Sequence, residues 1–335
     1  MSWNDTAVLA EDGPDAGVAW HHGDPMREQR AMDSTAMVDL SHRGVISVTG
    51  PDRLSWLHSL TSQHLEQLAP GVGTTGLVLS PNGHLEHAFY GVDDGETFWA
   101  HTEPGAAPAL VGFLDRMRFM LRVEVADRTD MLAVVWQAGP APAGERITRA
   151  GQDSLGGHES FVPRDHLDHF LSTQLDAGAT PAGTWAYEAR RIAAGVPRIG
   201  LDTDHRTIPN EAGLLGVAVH LDKGCYRGQE TVARVHNLGR PPRRLVLLHL
   251  DGSVDTLPAR GSDLALAEPS PEGIVPGRTV GVVGTSARHH ELGPIALGLV
   301  KRNTDVTAPL VAGGVAASQE VLVDPEVGLH VRARL

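Results

Sequence analysis

The alternation of hydrophobic and polar positions predicts three strands near the start of the chain. Residues 45–49 alternate as a strand does, and Gly50-Pro51 ends this pattern. Residues 76–79 and 85–90 flank Ser80-Pro81-Asn82-Gly83, whose composition is typical of a tight turn. The second and third strands are therefore predicted to form a hairpin.

Helical spacing appears on either side of this hairpin. Leucines recur at near-helical intervals after Asp52, which is the predicted cap, and residues 104–120 have one apolar face. The order of strands and then helices repeats at residues 121–125, 131–136, 164–174 and 184–194. Residues 1–40 have little pattern and are expected to lie on the surface. Strands followed by helices, twice over, predict an α+β body.

The pattern changes after Arg240-Pro241-Pro242. Short apolar runs at residues 245–250, 279–285 and 295–300 alternate with turns rich in glycine and proline, with little helical spacing. Such spacing predicts a small β-barrel or sandwich. The predicted domains are therefore residues 1–125, 126–242 and 243–335.

Composition limits the classes of function. The chain has 335 residues, of which 41% are hydrophobic, and a formal net charge of −13, which disfavours direct nucleic-acid binding. No apolar run approaches the roughly 20 residues that span a bilayer, and the N-terminus lacks the basic and apolar parts of a signal peptide. A single cysteine excludes an intrachain disulfide. We therefore expect a cytoplasmic protein without a membrane or nucleic-acid partner.

The candidate chemistry lies in the segment Lys223-Gly224-Cys225-Tyr226-Arg227-Gly228-Gln229-Glu230, which holds the only cysteine and one of two lysines. Its glycines allow backbone amides to approach a ligand, and Tyr226 offers a flat face and a hydroxyl. The ammonium group of Lys223 and a helix predicted to begin just after Cys225 would lower the pKa of the thiol. The competing interpretation is that Cys225 is a buried, inert residue and that the glycines only turn the chain.

This segment resembles the signature K-G-C-Y-x-G-Q-E of the YgfZ-type folate-binding proteins, which belong to the glycine-cleavage T-protein superfamily, and it matches every fixed position. The resemblance implies two intertwined α+β domains and a C-terminal β-barrel around a folate cavity. It also implies tetrahydrofolate or another reduced folate as cofactor, and a role in assembling or repairing iron–sulfur clusters with client or assembly proteins. We assign Cys225 and Lys223 as catalytic residues, and as folate-binding residues Gly224, Tyr226, Gly228, Gln229 and Glu230.

A further folate-binding candidate is Glu211. Residues 209–214 are similar to the P-x-E-x-G-L stretch of the aminomethyltransferases, in which the glutamate anchors the pterin. A carboxylate suits that ring because it accepts two parallel N–H bonds. The alternative is that Glu211 caps or solvates the start of a helix.

One departure from the aminomethyltransferases concerns their G-x-x-D-D pattern, whose acidic residue assists the folate reaction. This chain has Glu86-His87 there. The longer glutamate moves the carboxylate oxygens, and a misplacement of about 1 Å can cost roughly 100-fold in rate. We therefore expect no appreciable glycine-cleavage activity.

Two other groups of residues are given simpler interpretations. Histidine pairs such as His84 and His87 lack the further ligands of a zinc site, so no bound metal is expected. Arg240, Arg243 and Arg244 are interpreted as a solvated face, which would also suit a folate polyglutamate tail.

Three functions remain open from the sequence. The first is a folate-binding accessory factor for iron–sulfur enzymes, in which cluster contact is transient or shared because one cysteine cannot hold a cluster. The second is a folate-dependent one-carbon transferase, either an aminomethyltransferase or a demethylase, in which Glu86 matters more than Cys225. The third is an interaction protein that has kept the fold and lost the ligand.

Overall fold

The computed structural model describes residues 3–142, 144, 147–271 and 273–329. The last residues of the third predicted domain, 330–335, therefore lie outside the described part of the chain. Contacts divide the chain into two units. The first unit comprises the residues up to Val78 together with His87–Tyr187 and Val217–Tyr226, and the second comprises Leu79–Glu86, Glu188–Gly216 and the residues from Arg227 onward.

The elements are named in chain order. The strands are β1 (Val8–Leu9), β2 (Ala19–His21), β3 (Ala36–Asp39), β4 (Gly44–Thr49), β5 (Gly73–Leu79), β6 (Leu85–Asp93), β7 (Thr97–Thr102), β8 (Glu124–Asp127), β9 (Leu132–Ala138), β10 (Thr148–Arg149), β11 (Gly157–Pro163), β12 (Thr180–Ala182), β13 (Arg243–Leu250), β14 (Asp263–Ser270), β15 (Gly273–His289), β16 (Gly293–Lys301), β17 (Leu310–Ala312) and β18 (Val315–Val321). The α-helices are α1 (Pro25–Ala31), α2 (Arg53–Leu60), α3 (Ala107–Met117), α4 (Leu167–Asp176), α5 (Thr184–Ala193) and α6 (Gln229–Leu238), and single 3-10 turns lie at Trp3–Asp5, Arg164–His166 and Pro209–Glu211.

The first sheet of the first unit has the strand order β5-β6-β7-β4-β8. Strand β4 is antiparallel to both of its neighbours, so that Val48 faces Phe98 on β7 and Val125 on β8. The apolar faces of α2 and α3 pack on this sheet, and Trp56 and Leu110 share a buried core with Val48 and Phe98. The predicted helix at 104–120 is therefore present as α3, although it begins three residues later and ends three residues earlier.

The second sheet of this unit has the order β10-β11-β9-β3-β12. Strand β3 is antiparallel to β9 and parallel to β12, and Met37 and Val38 are completely buried. The expectation that residues 1–40 lie on the surface is therefore wrong for β3. A strand of four residues is too short to give a periodic signal, and β3 is covered on both faces, so its residues do not alternate.

The second unit contains a closed ring of six antiparallel strands in the order β13-β16-β15-β14-β17-β18. The ring closes because β18 pairs with β13. Side chains alternate along β13: Val246 and Leu248 join one buried core, whereas Leu245 and Leu247 join another that includes Ile192 of α5. The β-rich segment predicted from residue 243 is present as this ring, which begins at Arg243.

Candidate functional site

The signature segment crosses the division between the two units, because Lys223–Tyr226 belong to the first and Arg227–Glu230 to the second. Cys225 lies outside the helices and strands and is exposed to solvent. The exposed thiol excludes the interpretation of Cys225 as a buried core residue. Its enhanced reactivity stays a prediction.

Lys223 is buried, with 6% of its surface exposed. Its ammonium donates hydrogen bonds to the carbonyl of His58, to that of Thr61 at 2.6 Å and to that of Gln63 at 3.1 Å. Three acceptors match the three donors of an ammonium group. Burial lowers the pKa of Lys223 to about 8, whereas the three carbonyls favour the protonated form. The ammonium of this predicted catalytic residue is therefore already engaged by protein carbonyls.

Further hydrogen bonds attach the preceding residues to the same loop. The Gln63 amide donates to the Val217 carbonyl at 2.9 Å, and the Ser62 hydroxyl donates to the Ala218 carbonyl at 2.6 Å. The His220 N–H donates to the Ser62 carbonyl at 3.0 Å. Residues 217–226, which we call the cysteine segment, are thus fixed to the loop after α2 at several points.

An aromatic ring contacts the Lys223 ammonium, and an imidazole cluster begins at His58, whose backbone carbonyl the ammonium binds. The ring of Tyr226 has its centroid 5.1 Å from Nζ, within the range of a cation–π contact. His58, His64 and His220 form an imidazole cluster, with ring centroids 4.7 Å apart for the first pair and 5.2 Å for the second. Burial raises the pKa of Tyr226 to about 12, so its hydroxyl stays protonated at neutral pH. The proposed stacking of Tyr226 on a ligand stays a prediction.

The two glycines of the signature have different environments. Gly228 has a φ of +81°, and a Cβ there would lie 2.4 Å from the carbonyl oxygen of Ser80 and 3.0 Å from Cα of Gly83. A Cβ on Gly224 would meet no atom within 4 Å. Gly228 is therefore required by the contact with the β5–β6 turn, whereas only Gly224 leaves open space for an approaching ligand.

Helix α6 begins at Gln229, directly after Gly228 at the N-cap. Glu230 is exposed in its first turn, where an acidic side chain is favoured by the helix dipole. The predicted helix start after Cys225 is therefore confirmed. The assignment of Gln229 and Glu230 to folate binding stays a prediction.

An ion pair joins the signature to the residues that replace the Asp-Asp pattern. The Arg227 guanidinium donates to Glu86 at 2.7 Å through Nη1 and at 3.4 Å through Nη2, and each side chain is 35% exposed. The sequence singled out Glu86 and did not predict Arg227 as its partner. Because 141 residues separate the two, no local pattern indicates this pairing.

Glu211 is buried and accepts three hydrogen bonds from the protein. Arg243 donates to it through Nε and Nη2, both at 2.9 Å, and the Ile208 N–H donates to it at 3.0 Å. Arg243 also donates to Asp204 at 2.7 Å, which holds the pKa of that carboxyl well below its usual range. The capping alternative for Glu211 is therefore observed, since its carboxylate accepts from the N–H of Ile208, the N-cap residue of the 3-10 turn. Pterin binding by Glu211 stays a prediction.

The interpretation of Arg240, Arg243 and Arg244 as a solvated face is wrong for two of the three. Arg243 holds the two carboxylates just described, and the Arg244 side chain is completely buried. Arg244 donates to the Thr304 carbonyl at 3.1 Å and to the side chain of Gln319 at 2.7 Å. Adjacent strand residues point to opposite faces, so two neighbouring arginines cannot share one surface.

Other chemistry is limited in the described part of the chain. There, no three histidine, cysteine or acidic side chains are grouped so that they could hold a metal ion. None of the helices in the same residues is long and apolar enough to cross a membrane. A cavity of about 510 Å³ lies beside α4, lined by Phe161 and Phe170 with His166 and His169. It contains none of the predicted site residues.

Comparison with known proteins relates the chain to aminomethyltransferases. It is 27% identical over 246 residues to a protein of Arabidopsis thaliana named as a candidate chloroplastic transferase, covering 65% of this chain and 57% of that protein. The aminomethyltransferase of Herpetosiphon aurantiacus is 26% identical over 248 residues, which cover 66% of this chain and 68% of that enzyme. The chain thus spans less than two thirds of the Arabidopsis relative. No family model matches it.

A solved structure agrees with these relatives. The glycine cleavage system aminomethyltransferase T from Bartonella henselae superposes with a TM-score of 0.77, covering 96% of this chain and 94% of that protein. The two sequences are 18% identical, so the likeness concerns the fold alone. This protein therefore has the fold of the glycine-cleavage aminomethyltransferases.

Proposed function

We propose that this protein binds tetrahydrofolate or another reduced folate and supports the assembly or repair of iron–sulfur clusters, with Cys225 as its reactive thiol. The observation that carries the proposal is the exposed Cys225 within a complete K-G-C-Y-x-G-Q-E signature on an aminomethyltransferase-like fold. A thiol that is the chain's only cysteine and is open to solvent is available to a client protein. The signature is what favours the YgfZ-type role over the other functions of this fold.

The thiol and the folate-binding residues have separate roles in this function. Cys225 contacts the cluster or client transiently, since clusters typically need four ligands and this chain has one thiol. Gly224 and Tyr226 face the folate on one side, and Gly228, Gln229, Glu230 and Glu211 complete the folate-binding set. The partners are iron–sulfur client or assembly proteins, and the proposed location is the cytoplasm.

The second candidate is a folate-dependent aminomethyltransferase or demethylase. It is favoured by the names of the relatives in Herpetosiphon aurantiacus and Methylococcus capsulatus, both aminomethyltransferases. The Arg227–Glu86 ion pair opposes it, because both oxygens of the Glu86 carboxylate are already engaged by one guanidinium group. We therefore propose binding without aminomethyl transfer.

Two measurements test the proposed function. Titration calorimetry with tetrahydrofolate should show saturable binding to the wild-type protein and to Cys225→Ser, because the thiol is not a folate-binding group. An assay with lipoylated carrier protein should show no turnover near that of a true aminomethyltransferase. Absence of folate binding would overturn the cofactor assignment. Turnover near that of a true aminomethyltransferase would favour the second candidate function, a folate-dependent transferase.

The iron–sulfur role is tested in cells. In a strain that lacks the protein, the activities of iron–sulfur enzymes should fall and should be restored by the wild-type protein but not by Cys225→Ser at equal abundance. Lys301→Met, which changes the other lysine, an exposed residue at the end of β16, is the control and should restore them fully. Full restoration by Cys225→Ser would remove the thiol from the mechanism.

A further inference from the structure

The Lys223 ammonium lies at the C-terminal end of α2. Helix α2 ends at Leu60 with Thr61 as its C-cap, and the last carbonyls of a helix have no partner within it. Two acceptors of the ammonium, His58 and Thr61, belong to this end, and Gln63 follows directly. A cation at this position also meets the negative end of the helix dipole. Lys223 therefore caps α2 from a part of the chain 165 residues away.

The same contact determines where the cysteine segment lies. Lys223 is two residues from Cys225, and a Cβ on Gly224 between them would meet no atom within 4 Å. On the other side of the thiol, Tyr226 is held by its ring contact with the same ammonium. Cys225 is thus an exposed residue between buried Lys223 and buried Tyr226, and these two side chains contact each other.

We propose that Lys223 is a positioning residue, whose ammonium fixes the cysteine segment on the end of α2 and so sets the location of Cys225. The attachment of the cysteine segment to α2 does not depend on the function of the thiol. Only the expected effect of Lys223 on activity rests on the proposed function. Lys223 then takes no proton from a substrate and forms no bond with one, because its three donors are used by carbonyls.

The Lys223 ammonium makes this attachment dependent on pH. The ring of Tyr226 faces the ammonium, and His58 interacts with its charge. His64 packs against His58 and His220 against His64, and Glu66 acts on His58 with the opposite sign. Burial, followed by the charges of Lys223 and His64, lowers the pKa of His58. His58 is therefore neutral at physiological pH, whereas Lys223, whose pKa is about 8, loses its proton and with it one hydrogen bond as the pH rises through that value.

Hydrogen exchange followed by mass spectrometry measures the attachment directly. Lys223→Met keeps the length of the side chain and removes its donors, so exchange in residues 58–65 and 217–226 should rise by about tenfold or more. Lys223→Arg, which can still donate to carbonyls, should raise it much less. Arg164→Met is the matched control, because Arg164 donates to the carbonyls of Thr129 at 2.6 Å and Ser41 at 2.5 Å in the same unit.

The control separates a local effect from general loosening. In Arg164→Met, hydrogen exchange in residues 58–65 and 217–226 should change no more than exchange in the rest of the first unit. If Lys223→Met raises exchange there no more than Arg164→Met does, the positioning role is wrong. Should Lys223→Met fail to fold, the wild-type protein decides: after correction for intrinsic rates, moving from about pH 7 to 9, through the pKa of Lys223 near 8, should raise exchange in these stretches selectively. A uniform response would overturn the proposal.

Activity distinguishes positioning from direct chemistry. In the complementation assay, Lys223→Met should fail as Cys225→Ser does, whereas Lys223→Arg and Arg164→Met should restore most of the activity. Failure of Lys223→Arg with normal exchange would give the amine a direct chemical role and overturn the proposal, as would full activity of Lys223→Met with raised exchange. If Cys225→Ser itself is fully active, the proposed function fails, and the exchange measurement still decides the attachment.

Discussion

At the scale of single residues, identical amino acids in one motif serve different purposes. Gly224 and Gly228 were both predicted to let a ligand approach the backbone. Only Gly228 has a backbone conformation that L-residues avoid, and only there does another part of the protein occupy the position of a side chain. A glycine in a sequence shows that the position has no side chain. The sequence does not show whether another part of the protein or open space lies where that side chain would be.

This difference gives a stability prediction. Gly228→Ala should lower the free energy of unfolding by about 2 kcal/mol or more, from the left-handed backbone and the overlap with Ser80. Gly224→Ala should change it by less than about 0.5 kcal/mol, because its site is open. Urea unfolding of both variants measures this. Equal losses would show that the two glycines are not distinguished as the structure indicates.

The buried pair of Glu211 and Arg243 gives a second prediction. Glu211→Gln removes one charge from a pair whose carboxylate is 1% exposed, and should cost about 2–3 kcal/mol of unfolding free energy. Asp204→Asn is the matched control, since Asp204 pairs with the same arginine but is 40% exposed, and should cost at most about 1 kcal/mol. Denaturant unfolding compares them. A larger loss for Asp204→Asn would contradict this order.

Folate binding by the same variants tests the predicted role of Glu211 separately. If Glu211 anchors a pterin, Glu211→Gln that remains folded should bind tetrahydrofolate at least about tenfold more weakly, the loss of one charged hydrogen bond. Asp204→Asn should bind as the wild-type protein does. Unchanged affinity of folded Glu211→Gln would limit this residue to its structural pair with Arg243.

At the scale of elements, long helices and strands with a clear hydrophobic pattern were predicted better than short ones. Helix α5 was predicted to within one residue, because ten residues with one apolar face give a strong signal. The predicted cap of α2 has the right residue but another function: the Asp52 side chain makes no capping bond and accepts from Arg122 instead. The two-residue strands β1 and β10 gave no signal, since their pairing depends on distant residues.

The segment after β2 provides a prediction of pH dependence. His22 packs its ring against Trp3 at 4.4 Å, and one ring nitrogen lies 3.0 Å from the Thr6 hydroxyl. Burial, followed by the charge of His21, lowers the pKa of His22 from 6.5 to about 4. Between these values the unfolded chain binds a proton that the folded protein does not, so the free energy of unfolding falls as pH is lowered through this window.

Replacing this side chain should remove the effect. The loss of stability between about pH 6.5 and 4 should be smaller in His22→Gln than in the wild-type protein, by on the order of 1 kcal/mol. His166→Gln changes a histidine whose side chain is 72% exposed, and should retain the wild-type slope. Thermal unfolding at several pH values measures both. Parallel curves for the wild-type protein and His22→Gln would show that His22 does not contribute.

At the scale of the whole molecule, the sequence predicted the fold through a resemblance and the site only in part. The eight-residue signature indicated the superfamily, and the aminomethyltransferase-like fold is confirmed by the solved structure. The partners of Lys223 and Arg227 escaped prediction because each lies more than 140 residues away. Such pairs are set by tertiary packing, and a single sequence carries no record of them.

The parallel pairing of β3 with β12 has a consequence for synthesis on the ribosome. Thr35 and Thr180, whose hydroxyls lie 2.9 Å apart beside this pairing, are separated by 145 residues. At about 5–20 residues per second, an emerging β3 waits roughly 7–30 s for its neighbour. During that time the edge of β3 that later pairs with β12 has unsatisfied backbone groups and is open to chaperones and to aggregation. Nascent chains that stop before Thr180 should therefore remain sensitive to protease, and chains that extend beyond Tyr226 should become resistant.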